Sequence, residues 1–403
     1  MIDMKTEKRL EKLLDITGES ICLNCLGRKF SDIIPGPGNR KRAETLIKTF
    51  KLKKSSNKCK ICKGILEDLE KTADYVEEKI KKLNLEFSTL LVGSRLPEEL
   101  LSTDENINNH LNIEVESIKK EINRELGKIL KERFNCKVDF KNPDIIVKVD
   151  FRTLEPQVWV QINPLFIEGR YKKLIRGIPQ TKWPCRKCKG QGCPRCNFTG
   201  KMYPTSVEEL VAEPVLKATQ GSGSKFHGAG REDIDVRMLG KGRPFVLEIK
   251  EPKKRKINLK EIADEINKFA KGKIEVLNLK FSTRNRKVEI KTSSPYKIYR
   301  AKVKLKDEIE PSALEKLKSL NLIKQRTPKR VSHRRADKIR KRKVIDIKWN
   351  IIDSKTLELI LKTEGGLYIK ELISGDDGRT KPSISEILNT PAECIELDVL
   401  EVG

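Results

Sequence analysis

Eight of the ten cysteines in this 403-residue chain form four Cys-x-x-Cys pairs, and this spacing constrains the fold more than any other feature. Two residues between two thiolates allow a tight turn to bring both sulfurs to one metal ion. In a reducing compartment this use is favoured over disulfides. The pairs are Cys22/Cys25, Cys59/Cys62, Cys185/Cys188 and Cys193/Cys196. Cys136 and Cys394 stand alone and are most simply interpreted as small buried hydrophobic residues.

The first two pairs lie in short turns that Gly27 and Gly64 close, and a basic helical stretch at 40–51 separates them. Two such knuckles predict one structural zinc site with four thiolate ligands, which leave no coordination position open to a substrate. The alternative is two unrelated pairs in the reduced form.

The other two pairs are separated by only four residues, which is a short loop for one tetrahedral ion. Neighbouring glycines make the required turns possible. We therefore predict a second zinc site here. The alternative is a basic, glycine-rich RNA-binding loop whose cysteines have other partners or none.

The chain carries 85 lysine and arginine residues against 58 acidic ones, a formal net charge of +27. Such an excess fits a polyanionic partner, because each neutralised phosphate releases counterions. Aromatic residues make up only 5% of the chain, which argues against a protein that stacks many bases along a platform. Lys- and Glu-rich compositions are also common in heat-adapted proteins, so part of the charge has an alternative origin. With no apolar run of membrane-span length and no signal-peptide pattern, we expect a cytoplasmic protein without membrane contact.

The stretch after the second cysteine pair has the pattern of a small α/β module. Amphipathic helical periodicity runs over 67–83 and 115–134, and a strand is predicted at 87–93 between them. Two β-rich runs, 143–150 and 157–164, follow the second helix. The order of helix, strand, helix, strand, strand resembles a THUMP domain, an RNA-binding module of tRNA-modifying enzymes. The local likeness is a Pro-Asp-Ile segment followed by alternating valine and lysine.

Beyond residue 204 the chain is rich in predicted strands, and helices return at intervals. This is an α+β pattern and not an alternating doubly wound one. One predicted helix is Pro311 to Leu320, because proline is favoured in a first helical turn. We therefore expect a zinc-bearing, THUMP-like α/β accessory domain followed by a domain with a mixed, largely antiparallel sheet. The expected segments are a zinc-binding region, a THUMP-like domain, a cysteine-rich linker and a C-terminal domain, at 1–66, 67–180, 181–204 and 205–403.

The stretch 228–245 concentrates the side chains best suited to chemistry. Asp233 and Asp235 lie two residues apart, and three arginines and several glycines surround them. Arginines keep a nearby carboxylate ionised and bind phosphate in a bidentate manner, and an ionised Asp on a tight loop suits nucleophilic chemistry on a nucleotide. The alternative is a surface loop whose Asp–Arg pairs only brace a turn. The glycines match neither the dinucleotide fingerprint nor the phosphate loop.

Three motifs in this half carry a family resemblance. Gly230-Arg-Glu-Asp233 resembles the Gly-Arg-x-Asp signature of pseudouridine synthases, whose Asp is catalytic. Tyr368-Ile-Lys370 is similar to their Tyr-Ile-Arg/Lys element, whose basic residue pairs with that Asp, and Tyr299 matches the tyrosine that stacks on the target base. With the cysteine-rich, THUMP-like front half and the runs Gln325-Arg-Thr-Pro328 and His333-Arg-Arg-Ala-Asp337, nearly the whole chain resembles the tenth tRNA pseudouridine synthase family, the Pus-ten type.

This resemblance implies a pseudouridine synthase catalytic domain that isomerises uridine to pseudouridine in the TΨC arm of tRNA. The positions implied are fifty-five and fifty-four, with fifty-five alone as the alternative. It also implies that no organic cofactor is used. Zinc is the expected structural metal and tRNA the expected partner, and no obligatory protein partner is predicted.

The resemblance also assigns roles to residues. Asp233, paired with Lys370, is the expected nucleophile, and Tyr299 is the third catalytic residue. Asp235 is the rival carboxylate, but Asp233 occupies the motif position. Tyr368 is a substrate contact or, alternatively, a core tyrosine on a strand. The dense positive run at 323–343 favours phosphate contacts over a solvated charge cluster. The expected substrate-binding residues are Tyr299, Tyr368, Arg231, Arg326, Arg334 and Arg335.

Two other functions fit parts of the sequence. The chain could be a non-catalytic, zinc-dependent tRNA-binding protein in which Asp233 only holds a turn. A THUMP-linked methyltransferase or thiolase is the third possibility. It lacks support, because the sequence has neither a cofactor-binding glycine fingerprint nor a nucleotide loop.

Overall fold

A computed structural model describes residues 4–53 and 57–403 of the chain, except the side chain of Arg334. The chain divides into two compact units. The first reaches to Asn163 and takes in Lys253–Arg255, and the second comprises Pro164–Pro252 and Lys256–Gly403. Among the described helices, none combines the length and apolarity that a bilayer span requires.

The first unit contains helices and one sheet of four strands. Its helices are α1 Met4–Thr17, α2 Leu23–Arg28, α3 Asn39–Phe50, α4 Leu69–Leu83, α5 Glu98–Leu111 and α6 Ile118–Arg133. Its strands are β1 Thr89–Arg95, β2 Lys137–Val138, β3 Ile145–Asp150 and β4 Gln157–Ile162. The strand order is β2-β1-β3-β4, with β1 parallel to both neighbours and β4 antiparallel to β3.

Burial in the first unit follows the helical and strand periods. The side chain of Ser117 caps α6 by accepting a hydrogen bond from the N–H of Lys120. The helix then buries apolar residues three or four positions apart, so that one stripe faces the core. The buried residues of this stripe are Ile118, Ile122, Leu126 and Leu130. Buried and partly exposed side chains alternate along β1, as expected for a strand with one covered face.

The second unit is built on a sheet of ten strands. They are β5 Leu165–Lys173, β6 Gly223–Gly228, β7 Arg237–Lys250, β8 Ile274–Ser282, β9 Lys297–Leu305, β10 Leu322–Arg326, β11 Ile339–Asp353, β12 Thr356–Thr363, β13 Thr380–Lys381 and β14 Ala392–Val402. Its α-helices are α7 Val207–Thr219, α8 Leu259–Phe269, α9 Arg284–Thr292, α10 Ile369–Ser374 and α11 Ile384–Leu388. Short 3-10 helices occupy Pro194–Cys196, Pro311–Ser319 and Lys329–Arg334.

The sheet order is β13-β10-β11-β12-β9-β14-β7-β5-β8, and β6 pairs with β7. Every pairing is antiparallel except that of β14 with β7. The predicted α+β class, with a smaller α/β unit followed by a mixed, largely antiparallel sheet, is therefore confirmed.

Two details differ from the sequence-based expectation. The segment Leu165–Lys173, expected at the end of the THUMP-like domain, is β5 of the large sheet and pairs with β7 and β8. The second unit thus begins before residue 180, where the boundary was expected. The segment Pro311–Ser319, expected as α-helix, is a 3-10 helix. Its buried residues, Leu314 and Leu317, are spaced three apart, which suits three residues per turn.

The register of the sheet determines which residues can form a site. Val399 of β14 is the partner of Met238 in β7 and also of Tyr299 in β9. Neighbouring strands lie about 4.8 Å apart, so Tyr299 is about two strand spacings from the start of β7. The loop 229–236, which contains Asp233, leads directly into β7. The register therefore brings this loop and Tyr299 to the same region of the sheet.

Candidate active site and cysteine clusters

The loop 229–236 rests on a buried ion pair. The guanidinium of Arg243 lies 2.8 Å from the carboxylate of Glu232, and the two side chains are 1% and 0% exposed. The hydroxyl of Tyr171, which is also fully buried, donates a hydrogen bond of 2.8 Å to the same carboxylate. Separating such a buried pair is strongly destabilising, because it leaves a charge uncompensated. Glu232 immediately precedes Asp233, so this pair anchors the chain beside the candidate nucleophile.

Buried donors also hold the backbone of this loop. Arg243 donates to the carbonyl of Ala229 at 2.8 Å, and Gln180 donates to the carbonyl of Gly230 at 3.0 Å. The Lys173 ammonium donates to the carbonyl of Asp233 at 3.0 Å. Gly230 has a φ of +79°, in the left-handed region that favours glycine. Because its carbonyls are bonded at several points, the loop has one defined conformation before any substrate binds.

Asp233 forms an ion pair with Arg330, at 2.7 Å between carboxylate oxygen and guanidinium nitrogen. The Asp233 side chain is 33% exposed, so solvent still reaches it. Arg330 is held on its other side by the buried carboxylate of Glu371, and its guanidinium lies 5.8 Å from the centre of the Tyr368 ring. The sequence analysis did not single out Arg330 or Glu371. The signals were present, because Arg330 belongs to the dense basic run and Glu371 follows the Tyr-Ile-Lys element.

The pairing expected between Asp233 and Lys370 differs from the structure, in which Lys370 binds Asp235 at 2.6 Å. The N–H of Val236 closes a turn onto the carbonyl of Asp233, so the two carboxylates leave the backbone in different directions. Burial raises the pKa of Asp235, but the hydrogen bond and charge of Lys370 outweigh it and leave the pKa lowered. Asp235 is 64% exposed, about twice the exposure of Asp233.

Tyr299 lies beneath this loop and is 7% exposed. Burial raises the pKa of its phenol to about 12, with Arg243 acting in the lowering direction and the charge of Asp233 in the raising direction. The electrostatic influence of Asp233 agrees with the proximity that the sheet register indicates. Lys297, two residues earlier on β9, has its pKa lowered to about 8 by burial and by the charge of Arg243.

The structure distributes the expected phosphate-binding residues over several places. Arg231 lies over the ring of Trp183, with its guanidinium carbon 5.0 Å from the ring centre. Arg326 is 53% exposed and forms an ion pair of 2.6 Å with Asp337. Arg335 is exposed at the end of the 3-10 helix Lys329–Arg334. The side chain of Arg334 lies outside the described residues.

The first cysteine cluster fits one tetrahedral metal ion. Its four sulfur atoms lie within 4.8 Å of one another, and those of Cys22 and Cys62 are 3.7 Å apart. A zinc ion with Zn–S bonds of about 2.3 Å separates its sulfur ligands by about 3.8 Å. All four side chains are at least nine-tenths buried, and they belong to the apolar core of the first unit. The ligand atoms are therefore brought together by the folding of that unit.

The second cluster meets the same geometric test in a more exposed setting. Its sulfur pairs Cys185/Cys193, Cys188/Cys196 and Cys193/Cys196 are 3.9, 3.8 and 3.7 Å apart. The backbone N–H groups of Gly192 and Gly200 point at sulfur atoms, at 3.2 and 3.3 Å. Such donors favour the thiolate form that binds metal. Both predicted clusters thus form, and each could hold a metal ion.

Comparisons with known proteins agree with this architecture. The family model described as Pus10, C-terminal, matches residues 166–403, and the archaeal Pus10 THUMP domain matches residues 72–150. A protein of Methanothermobacter marburgensis named tRNA pseudouridine synthase Pus10 is 59% identical over 402 residues, which cover 99% of each chain. The protein of the same name from Methanocaldococcus jannaschii is 48% identical over 100% of this chain and 85% of its own length.

Similarity to solved structures is weaker. A Cbf5–Nop10–Gar1 complex contains a chain with a TM-score of 0.32 and 17% identity, and 58% of each chain is covered. An H/ACA RNP bound to a substrate RNA containing 2′-deoxyuridine gives a TM-score of 0.30 at 14% identity, covering 58% of this chain and 47% of the other. The family assignment rests on the domain models and the full-length relatives. The chain belongs to the Pus10 family of tRNA pseudouridine synthases.

Proposed function

We propose that this protein isomerises uridine to pseudouridine in the TΨC arm of tRNA, at positions fifty-five and fifty-four, with Asp233 as the nucleophile. The C1′–N1 bond of uridine breaks, the base turns, and a C1′–C5 bond forms. The proton lost from C5 is balanced by the proton gained at N1, so no oxidant, reductant or second substrate is consumed. A base inside a folded arm must first leave its stack, at a cost of a few kcal/mol.

The observation that carries the proposal is the fixed loop that presents Asp233 as a partly exposed, ion-paired carboxylate. Its backbone is bonded by Arg243, Gln180 and Lys173, so little reorganisation is needed when a uridine arrives. The guanidinium of Arg330 lies 2.7 Å from this carboxylate and compensates its charge, which suits a nucleophile. On binding of RNA, an incoming phosphate competes for Arg330 and frees Asp233 to face the sugar.

Tyr299 and Tyr368 would shape the base pocket. Tyr299 would stack on the base, as the family motif implies, and its phenol, whose pKa burial raises to about 12, keeps its proton at neutral pH and can donate it in a hydrogen bond. Tyr368 lies under Arg330 and is partly exposed, which suits contact with the substrate more than a purely internal role. Lys370 holds Asp235 and thereby braces the second half of the loop.

The net charge of +27 supports tRNA as the partner, and the geometry of both cysteine clusters supports zinc as a structural metal. In both clusters all four donors are cysteines. A bound zinc ion would cross-link the chain, and its four cysteine ligands would leave no coordination position for a substrate. The residues that would hold the two ions are Cys22, Cys25, Cys59 and Cys62, and Cys185, Cys188, Cys193 and Cys196.

The test compares Asp233→Asn with Asp235→Asn on an unmodified tRNA transcript, with pseudouridine mapped by carbodiimide labelling. Loss of a nucleophile is expected to slow the reaction by about 10⁴-fold or more while tRNA affinity is retained. Asp235→Asn, the matched control on the same loop, should keep most of the rate. If Asp235→Asn abolishes the reaction and Asp233→Asn does not, the assignment of Asp233 is wrong.

The two tRNA positions require separate transcripts. Replacing uridine fifty-five or uridine fifty-four by cytidine should leave the other position modified if the enzyme acts on both. A wild-type protein that binds tRNA and forms no pseudouridine would instead be the non-catalytic, zinc-dependent tRNA-binding protein.

A further inference from the structure

The segment 183–203, here called the knuckle, carries an unusual charge distribution. It contains five lysine or arginine residues and neither aspartate nor glutamate. Four of the five are exposed and make no ion pair or side-chain hydrogen bond with any part of the chain that the structure describes. These four are Arg186, Lys187, Lys189 and Arg195. The fifth, Lys201, binds Glu209 at the start of α7.

The knuckle is a defined shape and not a loose loop. The N–H of Cys185 donates to the carbonyl of Gly200 at 2.7 Å, and the N–H of Met202 donates to the carbonyl of Trp183 at 2.9 Å. These bonds close a short ribbon at its base, while the four sulfur atoms gather at its centre. A Cβ on Gly200 would lie 2.3 Å from the carbonyl of Gly190, so the two turns pack without room for a side chain. The backbone that carries the exposed cations is therefore held in one conformation.

The most exposed large apolar side chain of the knuckle is Phe198, ahead of Met202. Phe198 is 73% exposed and lies three residues after the exposed Arg195 in the sequence. Both Asn197 and Phe198 have positive φ values, +47° and +57°. A phenylalanine in that conformation is rare and points its ring outward without burial in return. An exposed aromatic ring on a segment that also carries free cations is a combination that binds unpaired nucleotides, because the ring stacks on a base and the cations bind phosphates.

The base of the knuckle lies against the loop of Asp233. Trp183 packs edge-on against Tyr203, with ring centres 5.6 Å apart, and its ring faces the guanidinium of Arg231 at 5.0 Å. Arg231 is two residues before Asp233. The segment before the knuckle also contacts this loop, because the side chain of Gln180 donates a hydrogen bond to the carbonyl of Gly230. The carbonyls of Pro179 and Gln180 accept hydrogen bonds from the first N–H groups of α7. A strand of RNA bound to the knuckle would thus lie close to the candidate nucleophile.

We propose that the knuckle is an RNA-contacting element in which the free cations bind phosphates of the tRNA, Phe198 stacks on an unpaired base, and the Trp183–Arg231 contact connects the bound strand to the loop of Asp233. RNA is favoured over an acidic protein because an exposed aromatic ring and free cations share one short segment next to the candidate nucleophile. This inference rests on the proposed function.

The test removes three free cations together, in the variant Lys187→Ala/Lys189→Ala/Arg195→Ala. The matched control removes three exposed, unpaired lysines of the same unit, in Lys260→Ala/Lys268→Ala/Lys271→Ala. Binding of tRNA is measured against salt concentration, and zinc content and the thermal unfolding curve are measured on the same samples. The knuckle variant should lose at least ten-fold in affinity at low salt, and the magnitude of its salt slope should fall by about 2, because each phosphate contact contributes about 0.7 to 0.9.

The inference is overturned if the knuckle variant, with zinc and unfolding unchanged, shows the affinity and slope of the control. It is also overturned if polyglutamate binding is lost in the knuckle variant while tRNA binding stays intact, since that result identifies an acidic protein as the partner.

A second measurement follows the contact between Trp183 and Arg231. The chain has three tryptophans, so Trp159→Phe/Trp349→Phe leaves Trp183 as the sole indole reporter. Addition of tRNA should change the emission of Trp183, and the change should be absent in the same background with the three knuckle cations removed. An emission that does not respond to saturating tRNA would overturn the proposed connection.

Failure of this inference can be separated from failure of the proposed function. If the wild-type protein forms pseudouridine and the knuckle variant binds tRNA normally, the knuckle assignment fails and the synthase assignment stands. If the wild-type protein forms no pseudouridine, the synthase assignment fails. The salt dependence of tRNA affinity in the knuckle variant and in its control still decides whether the knuckle contacts RNA.

Discussion

The two cysteine clusters have the same ligand chemistry in opposite surroundings. In the first, the sulfur atoms belong to the apolar core, with Leu26, Phe30 and Ile61 all 3% exposed or less. Its neighbouring cation, Arg28, is completely buried and bound by two carboxylates, Asp104 and Glu121. In the second, three of the four cysteines are partly exposed, the neighbouring cations are in solvent, and no carboxylate occurs between residues 183 and 203.

This contrast teaches that ligand spacing alone does not determine what a metal-binding cluster does for the protein. Where the cluster is continuous with the core, losing the ion exposes apolar surface and leaves buried charges unpaired, so the whole unit depends on it. Where the cluster stands apart from the core, losing the ion releases only a local surface. The first cluster should therefore be needed for folding and the second for the shape of one contact surface.

The largest expected effect comes from removing ligands. Cys25→Ser/Cys62→Ser should unfold the first unit, because structural zinc contributes roughly 10–16 kcal/mol in small zinc domains, while whole domains are stable by about 5–15 kcal/mol. Cys188→Ser/Cys196→Ser should leave both units folded. The zinc content should fall by one ion per chain in each variant. Amide hydrogen exchange, measured peptide by peptide, will show which unit has unfolded. If the amide hydrogens of the first unit are equally protected from exchange in both variants, the proposed difference between the two clusters is wrong.

Each Cys-x-x-Cys pair was predictable because its spacing is local, and in the second cluster the two pairs are only four residues apart. The meeting of Cys22/Cys25 with Cys59/Cys62 depends in addition on the fold of the first unit. Helices α4 and α6 were also predictable from local spacing, since their buried residues repeat at helical spacing. Helix α5 was not assigned. Its buried apolar residues are only Leu100 and Ile107, seven positions apart, among asparagines and acidic residues that give no clear periodicity.

The ion pairs of the candidate site could not be predicted from local patterns. Whether Arg330 or Lys370 reaches Asp233 depends on how a 3-10 helix and α10 are placed relative to the loop, and these elements are far apart in the chain. The resemblance to a family motif pointed to Asp233 and Lys370 but not to Arg330, with which Asp233 pairs in the structure. The boundary near β5 was missed because the pairing of β5 with β7 and β8 joins segments far apart in the chain, and a local sequence pattern does not show such pairing.

The next effect in size concerns the arginines beside the clusters. Arg28→Met should destabilise the first unit by about 3–5 kcal/mol, because the buried Glu121 would lose its ion-pair partner and Asp104 would keep only Lys29. Arg186→Met, at the exposed cluster, should change stability by no more than about 0.5 kcal/mol. Urea unfolding midpoints will measure both. If Arg186→Met costs as much as Arg28→Met, the second cluster is part of a folded core after all.

The smallest effect concerns the exposed ring at the second cluster. Because Phe198 is 73% exposed, Phe198→Ala should alter the free energy of unfolding by no more than about 0.5 kcal/mol. Loss of one stacked base should nevertheless weaken tRNA binding by about 1–3 kcal/mol. Phe269→Ala, at a ring that is 50% exposed at the end of α8, is the matched control and should leave tRNA affinity unchanged. An affinity loss that is equal in the two variants would mean that exposed rings contribute to tRNA binding without regard to position, and the knuckle would then have no special place in recognition.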